Sequence, residues 1–370
     1  MKVKKKKILV SVINNISTDQ RVEKVCNTLR RNGYEISLIG TNLNGLPKLI
    51  RPYKTQRFSL LFHKGFGLFA EFNLKLFRKL LLEADKNTIL LANDLDSLLP
   101  NYLVSKIRHI PLVFDSHEIY SELPSVQGRF SKKIWKSLEK YLIPNMHHFY
   151  TVSNGYARYF QQQYGVLPEV ITNAPDFYYQ KNTSEENNNP KIILYQGAIK
   201  KDRGLESLLH AMSLLPEYQL WIIGYGTYEK TLKLLSYELK LKNIQFLGRK
   251  TPDELRKITR QASVGISLEE NSGLSYYYAL PNKLFDYIHS GVPVVGTYLP
   301  EIKSVVEEHQ IGETISKHDP VEIAAKIRSV IMRGKEAYQD DLKKTAEKYC
   351  WENQEKKLLE IYFRASISHK

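Results

Sequence analysis

The chain has 370 residues, which predicts two domains, and its 42% hydrophobic and 25% charged residues exclude a disordered protein. No stretch approaches the roughly 18 consecutive apolar residues that a membrane-spanning helix needs. Two cysteines, Cys26 and Cys350, are too few for a disulfide framework, and the apolar run 8–13 is too short for the core of a signal peptide. We therefore expect a cytoplasmic protein without a membrane span.

Positive charge is concentrated in the first half of the chain. The total is 54 basic against 39 acidic residues, a net charge of +15. Residues 1–180 hold 26 basic and 14 acidic residues, a net +12, whereas the remainder holds 28 and 25, a net +3. This asymmetry favours a polyanionic partner for the first half. Nucleic acid, an anionic bilayer and a phosphorylated substrate all fit.

Short apolar runs predict eleven β-strands with amphipathic helical segments between them. Six runs precede the polar segment 181–190, at 8–13, 35–40, 88–92, 111–114, 148–152 and 169–172. Five follow it, at 191–195, 219–224, 243–247, 264–268 and 292–296. Alternating strands and helices predict parallel sheets covered on both faces. The expected fold class is therefore α/β, with two Rossmann-like, doubly wound domains facing a cleft.

The predicted domains are residues 1–180 and 191–335, joined by a linker at 181–190. Residues 336–370 read as helix only, and they either complete the second domain or cross back to the first. Ligands of such sheets bind at the carboxyl ends of the strands. The loops that follow the strands are therefore the candidate functional segments.

The loop after the fourth strand reads DSHEIYSE, residues 115–122, and it places His117 beside several carboxylates. An imidazole can donate or accept a proton near neutral pH, and a neighbouring carboxylate fixes its tautomer. Alternatively, Asp115 and Ser116 cap a helix. The residues alone leave both readings open.

Two aspartates, Asp94 and Asp96, follow the third strand at a spacing that can hold a divalent metal. The same residues also suit the amino-terminus of a helix that starts near Ser97. Because no third ligand is apparent, we predict no metal site.

In the second domain, Gly197 permits close backbone approach, and Arg203 with Gly204 precedes a helix whose amino-terminus could bind an anion. A solvated basic turn is the alternative. Gly224 and Gly226 follow the next strand, but they supply only two glycines of the GxGxxG fingerprint, which makes a dinucleotide site a weak prediction.

The segment 269–296 contains a helix start at Pro281. Its first free amides are expected to belong to Asn282, Lys283 and Leu284, which together with the lysine ammonium would bind a phosphate. Asp286, one turn later, would accept hydrogen bonds from a ribose. Plain packing of Tyr276–Tyr278 and a dipole role for Asp286 are the alternatives. The co-occurrence of the proline start, the lysine, the acid and the following GVPVV strand favours the phosphate site.

The segment 58–82 carries six phenylalanines, many leucines and the basic residues Lys64, Lys75, Arg78 and Lys79. Charge interrupts it too often for a bilayer span, but an aromatic and basic mixture suits an interfacial helix. Packing of one face against the sheet is the alternative.

These motifs resemble the retaining glycosyltransferases of family 4, which have the two-domain GT-B architecture. The resemblance covers DQRVEKV at 19–25, FDSHEIYSE at 114–122, TVSNGYA at 151–157, YQGAIKKDRGLE at 195–206, the glycine loop at 224–226, FLGR at 246–249, LPNKLFDYIHSGVPVV at 280–295 and the terminal helix. Each motif is short, but their order and spacing together are specific.

The resemblance implies a nucleotide-sugar donor bound mainly to the second domain beside Gly197. It assigns the donor diphosphate to Arg203, the phosphate-facing helix start to Lys283, the ribose to Asp286 and the donor sugar to His117. Backbone at Leu247–Arg249, with Arg249, would contact the base. Asp286 stands where the family has its second glutamate, and Glu270 is the nearest acid upstream, 16 positions earlier instead of eight.

The expected function is transfer of a sugar to an acceptor hydroxyl with retention, without a cofactor, in assembly of cell-envelope or surface polysaccharide. A lipid-linked acceptor would agree with a first domain that lies peripherally on an anionic membrane. A sugar-nucleotide 2-epimerase of the same architecture, with His117 and nearby carboxylates as acid and base, is an alternative. A nucleic-acid-binding protein is less favoured, because no reader module is visible.

Overall fold

The computed structural model describes residues 6–14, 16–17, 19–42, 50–179 and 191–367. The chain forms two compact units, one of Met1–Asn173 with Gln354–Lys370 and one of Ala174–Asn353. The segment 181–190, predicted as the linker, lies outside the described residues. Both cysteines are buried free thiols.

The first unit is built on a parallel sheet in the order β3-β2-β1-β4-β5-β6-β7. Its strands are β1 (Lys7–Ser11), β2 (Glu35–Thr41), β3 (Lys54–Phe58), β4 (Thr88–Asn93), β5 (Leu112–Ser116), β6 (His148–Thr151) and β7 (Glu169–Val170). The α-helices between them are α1 (Gln20–Arg31), α2 (Gly65–Glu83), α3 (Leu95–Arg108), α4 (Phe130–Leu142) and α5 (Asn154–Tyr164). Three short 3-10 helices lie at Tyr120–Glu122, Pro124–Val126 and Ile143–Asn145. The order reverses between β1 and β4, so the loops after those strands meet at a switch point.

The second unit repeats this plan in the order β10-β9-β8-β11-β12-β13. Its strands are β8 (Ile192–Gln196), β9 (Gln219–Ile223), β10 (Ile244–Gly248), β11 (Val264–Ser267), β12 (Val294–Thr297) and β13 (Gly312–Ile315). Its helices are α6 (Leu205–Met212), α7 (Glu229–Glu238), α8 (Pro252–Gln261), α9 (Leu274–Tyr277), α10 (Asn282–His289), α11 (Pro300–Glu308), α12 (Pro320–Arg333) and α13 (Gln339–Lys348), with a 3-10 helix at Lys335–Tyr338. The switch point here lies between β8 and β11.

All eleven predicted strands are present, and the prediction missed two more, β3 and β13. Both are edge strands, KTQRF and GETI, and the residues of β3 are only half-buried or exposed. An edge strand needs few apolar residues because one of its neighbours is solvent, so it lacks the apolar run that identifies an inner strand.

The last helix, α14 (Trp351–Ile367), packs its carboxyl-terminal part in the first unit. Tyr362 is fully buried there, and its ring meets that of Tyr34 edge-on at 6.2 Å. Gln354 accepts a hydrogen bond of 3.0 Å from the amide of Thr172. Across the described parts of the chain, every helix is too short or too polar to span a bilayer.

Candidate active site

His117 stands in the first unit just after β5, between two carboxylates. Its Nε2 lies 3.0 Å from Oδ2 of Asp115, and its Nδ1 lies 3.4 Å from Oδ2 of Asp94. The backbone amide of His117 also donates a 2.7 Å hydrogen bond to Asp94. Asp115 is fully buried, whereas the His117 side chain keeps 16% of its surface exposed. The ring is therefore held from two sides and still reaches solvent.

Sequence reasoning did not single out Arg21, which completes this cluster from α1. Its guanidinium donates two hydrogen bonds to the carboxylate of Asp115, from Nε at 2.9 Å and from NH2 at 2.8 Å. NH1 donates a third, of 2.8 Å, to the carbonyl of Ile171. Arg21 is almost completely buried. The sequence did contain a signal for this contact, since Arg21 lies next to the apolar face of an amphipathic helix. An arginine buried on that face needs a carboxylate partner.

These contacts decide the protonation state of the pair. Burial opposes the charged imidazole, but Asp115 and Asp94 outweigh it and raise the pKa of His117 to about 9. Burial opposes the charged carboxylate in the same way, but Arg21 and His117 lower the pKa of Asp115 to about 2. With its pKa raised to about 9, His117 is mostly protonated at neutral pH and acts there as a hydrogen-bond donor.

The helix-capping interpretation of this loop is wrong, because Asp115 pairs with Arg21 and His117 instead.

The side chains of the two aspartates after β4, Asp94 and Asp96, also have partners within the first unit. Asp94 has a φ of 60°, and its side chain binds His117 and does not cap α3, which begins at Leu95. Asp96 is buried and accepts a hydrogen bond from the hydroxyl of Tyr120. No three acidic, histidine or cysteine side chains are grouped for a metal ion among the residues that the structure describes.

The glycines of the second unit have a packing role. Gly197 and Gly224 have φ values of 137° and 142°, which favour glycine. A Cβ on Gly224 would lie 1.8 Å from the carbonyl oxygen of Gly197, and one on Gly226 would lie 1.9 Å from that of Ile199. The loops after β8 and β9 are thus in direct backbone contact. This contact accounts for the two glycines without a dinucleotide fingerprint.

Lys283 and Arg203 meet at Glu269, a fully buried acid just after β11. Nζ of Lys283 lies 2.7 Å and NH1 of Arg203 lies 3.6 Å from Oε1 of Glu269. Oε2 accepts a 2.7 Å hydrogen bond from Ser267. Burial opposes ionisation of Glu269, but Lys283 and Arg203 outweigh it and lower its pKa. The two cations therefore share an ionised acid.

The sequence analysis assigned the upstream acid to Glu270, and the structure puts its neighbour Glu269 between the two cations. Glu270 is half-buried, and its amide donates to the carbonyl of Asp202 at 3.1 Å. Side chains alternate along an extended strand, so Ser267 and Glu269 lie on the same face. That alternation was the signal which could have separated the two acids.

Helix α10 starts immediately after Pro281, as predicted, and the amide of its third residue, Leu284, already has a partner. Asn282 is exposed, whereas Leu284 is buried and its amide donates to the carbonyl of Pro281 at 3.1 Å. The expectation of a free amide at Leu284 is therefore wrong. Asp286 is half-buried and accepts a 2.8 Å hydrogen bond from the side chain of Gln196, at the end of β8.

Two arginines at this edge of the sheet lie over tyrosine rings. The guanidinium carbon of Arg203 is 4.9 Å from the ring centre of Tyr276, and that of Arg249 is 5.2 Å from the ring centre of Tyr225. Arg249 and Tyr225 are both exposed. The predicted residues of the second domain thus all follow β8, β10 or β11 or lie in α10, whereas His117 belongs to the first unit.

Two family models match the chain. Glycosyltransferase Family 4 matches residues 19–177, and Glycosyl transferases group 1 matches residues 178–349. The chain therefore belongs to the family 4 type of glycosyltransferase, as its motifs predicted. Its fold class, two doubly wound parallel-sheet units of the GT-B type, is also confirmed.

Solved structures share this fold at low sequence identity. Sucrose-phosphate synthase from Thermosynechococcus elongatus has a TM-score of 0.80 at 15% identity, over 97% of this chain and 99% of the other. Anabaena HepE in complex with UDP-glucose has a TM-score of 0.73 at 16% identity, over 96% and 99%. Sulfoquinovosyl transferase SQD2 of Arabidopsis thaliana is 24% identical over 48% of this chain, and the match spans only 34% of that protein.

Proposed function

We propose that the protein transfers a sugar from a nucleoside-diphosphate donor to an acceptor hydroxyl, with retention of the anomeric configuration. The observation that carries this proposal is the convergence of Arg203 and Lys283 beside the exposed Gly197, at the switch point of the second sheet. A diphosphate leaving group develops negative charge, and prepositioned cations stabilise that charge. The solved UDP-glucose complex of the similar Anabaena protein supports a nucleotide sugar as the donor.

The remaining predicted residues have matching tasks in this proposal. Asp286 accepts hydrogen bonds from the ribose, and the exposed pair of Arg249 and Tyr225 offers a flat surface to the base. Asn282, the first residue of α10, contacts a phosphate, while Glu270 faces the donor sugar. Each task remains a proposal for mutagenesis.

The charge on His117 favours a binding role for this residue over a role as base. An epimerase needs a base that removes a proton from its substrate, and an imidazole whose pKa is raised to about 9 is mostly protonated at neutral pH, so a 2-epimerase would have to use a nearby carboxylate such as Asp94 as its base. A cation can instead donate a hydrogen bond to a sugar hydroxyl or to an anionic group. We therefore assign His117 to binding of the sugar.

We further propose a lipid-linked acceptor and a peripheral membrane position. On α2 an exposed row at four-residue spacing includes Phe66, Leu74, Arg78 and Leu82, while Phe72, Leu76 and Leu80 of the opposite face are buried. Packing of one face, the alternative in the sequence analysis, therefore accounts for the buried row of α2, and we propose the interfacial role for its exposed row.

The neighbouring helix α3 also carries exposed apolar and basic side chains. Exposed Leu103 and Ile107 on α3 lie one turn apart, next to the exposed Lys106 and Arg108. Arg108 ties α3 to α2 through a 2.7 Å hydrogen bond to the carbonyl of Leu81. We name the exposed side chains Phe66, Leu74, Leu82, Leu103 and Ile107, with Arg78, Lys106 and Arg108, the apolar-basic face. Such a mixture suits the headgroup region of an anionic leaflet, where an enzyme of envelope or surface polysaccharide assembly meets lipid-linked acceptors.

A panel of UDP-, GDP- and ADP-sugars tests the donor site through thermal shifts. Ligands that bind only the folded state raise its melting temperature, so the preferred base will be the one with the largest shift. Arg203→Ala should weaken binding about 10- to 100-fold, since a charge-assisted hydrogen bond contributes about 1.5–3 kcal/mol. Arg328→Ala is the matched control, because Arg328 is an exposed arginine of the same unit paired with Glu217. Equal shifts for Arg203→Ala and wild type would reject the assignment.

A further inference from the structure

We propose that Glu269 is a positioning residue that acts as the shared counter-ion of Arg203 and Lys283 and sets the net charge with which the site meets the donor diphosphate. The inference rests on the proposed function, because it presumes that the diphosphate binds at these two cations. It adds a residue that has no counterpart in the sequence motifs.

The first support is the fixed position of the carboxylate. Glu269 is fully buried, and its Oε2 accepts a hydrogen bond of 2.7 Å from Ser267. Its backbone carbonyl accepts a 3.0 Å hydrogen bond from the hydroxyl of Thr297, at the end of β12. The ends of two strands therefore hold Glu269 beside the two cations.

The second support is that the ammonium of Lys283 can be reached from solvent beside Gly197. Its Nζ lies 4.2 Å from the ring centre of Tyr195 and 2.7 Å from Glu269. A Cβ on Gly197 would lie 3.6 Å from Cε and 3.9 Å from Nζ of Lys283, and Gly197 itself is exposed. The side chain of Lys283 is only 9% exposed. Because Gly197 has no side chain, a ligand can reach Lys283 from the side of residue 197.

The third support is the balance of charge. Two cations and one ionised acid give the cluster a net charge of +1, because burial opposes ionisation of Glu269 but the two cations keep its pKa low. A diphosphate that binds here competes with Glu269 for the same two cations. The carboxylate therefore limits ground-state binding of the anion and holds the lysine and arginine in place until charge develops on the leaving group.

Three variants change this net charge in steps while the full chain is kept. Glu269→Gln retains the shape and gives +2, Lys283→Met gives 0, and the double variant returns to +1. Affinity for inorganic pyrophosphate and for UDP, GDP and ADP is measured by titration calorimetry at low salt. We expect Glu269→Gln to bind about threefold tighter or more, and Lys283→Met to bind about tenfold weaker. The double variant should lie within about twofold of wild type.

The outcomes separate this inference from the proposed donor site. Unchanged or weaker binding by Glu269→Gln, with weaker binding by Lys283→Met, would overturn the counter-ion role and leave the donor site standing. If the wild type bound neither pyrophosphate nor any nucleoside diphosphate, the donor site would fail and this inference with it.

Should Glu269→Gln not fold, the double variant decides, because it leaves no unpaired buried lysine. Binding as weak as that of Lys283→Met would then overturn the role. Glu217→Gln, at the surface pair with Arg328, is the control.

Discussion

In each unit, two cations share one buried carboxylate, and this sharing decides what each residue can do. In the first unit, Arg21 and His117 share Asp115, and in the second, Arg203 and Lys283 share Glu269. Asp94 is a second acid beside His117. A buried ion without a partner would cost several kcal/mol, so each acid is required for its cations to remain charged. The chemistry at both sites is therefore that of cations held in place by carboxylates.

The charge on His117 predicts how stability depends on pH. Its pKa is raised to about 9 in the folded state, against 6.5 when unfolded, so its stabilising contribution is complete below pH 6.5 and is lost as the pH rises through 9. His117→Gln should therefore lower the free energy of unfolding by about 2–3 kcal/mol more at pH 6 than at pH 9.5. Urea unfolding at both values measures this difference. His147→Gln, which replaces an exposed histidine of the same unit, is the control for loss of an imidazole. An equal loss at both pH values in His117→Gln would mean that the imidazole is neutral.

Asp286 provides a second prediction at the scale of the residue. Asp286→Ala should weaken nucleoside-diphosphate binding about tenfold, because it removes the proposed ribose acceptor and releases Gln196, its 2.8 Å hydrogen-bond donor. Asp286→Glu should largely preserve binding, since the longer acid keeps the charge and the family resemblance implies a glutamate at this position. Calorimetric titration of both variants with the preferred nucleotide is the measurement. Identical affinities in wild type and Asp286→Ala would remove the ribose contact from the account.

At the scale of the element, α2 shows how one helix serves two surfaces. Its buried row packs in the first unit, while its exposed row belongs to the apolar-basic face. Basic side chains of the helix are partly neutralised within it, since Lys75 pairs with Glu71 at 2.6 Å and Lys79 pairs with Glu83 at 2.8 Å. Arg78, on the exposed row, is therefore the residue of this helix best placed to meet an anionic lipid.

Co-sedimentation with vesicles tests the apolar-basic face. Binding to anionic vesicles should exceed binding to neutral ones and fall with salt, because the basic residues contribute about 1 kcal/mol each near an anionic surface. Combined replacement of Phe66, Leu74 and Leu82 by serine should abolish binding, and Arg78→Gln with Lys106→Gln and Arg108→Gln should reduce it. Leu234→Ser is the matched control, an exposed leucine on α7 of the second unit. Indifference to lipid charge, or equal binding by the triple serine variant, would leave this face without a membrane role.

At the scale of the whole molecule, the chain returns to its first unit at the end. The carboxyl-terminal part of α14 buries Ile361 and Tyr362 in that unit, so the first unit is made of two separated stretches of sequence. A helical end segment was predictable, but the unit it joins was not. An amphipathic helix specifies an apolar face and does not name the surface that covers it.

The same distinction explains which parts of the site could be predicted. Alternating strands and helices indicate the fold because each inner strand needs its own apolar run, and motif positions such as Arg203 and Lys283 follow from local order. The partners of Glu269 and Arg21 lie on distant strands and helices, so a local pattern can mark these two residues but cannot identify what they bind. The amide of Leu284 was misjudged for a related reason, since Pro281 accepts its hydrogen bond.

The most direct test of the account is a proton NMR time course with the preferred nucleotide sugar, with and without an acceptor. Transfer predicts that nucleoside diphosphate is released as a new glycosidic bond forms, and that the anomeric proton of the product has the donor's configuration. Release should depend on acceptor and should be lost in Arg203→Ala but not in Arg328→Ala. An inverted anomer would contradict retention. Conversion of the nucleotide sugar to its 2-epimer without acceptor would contradict the proposed transfer itself.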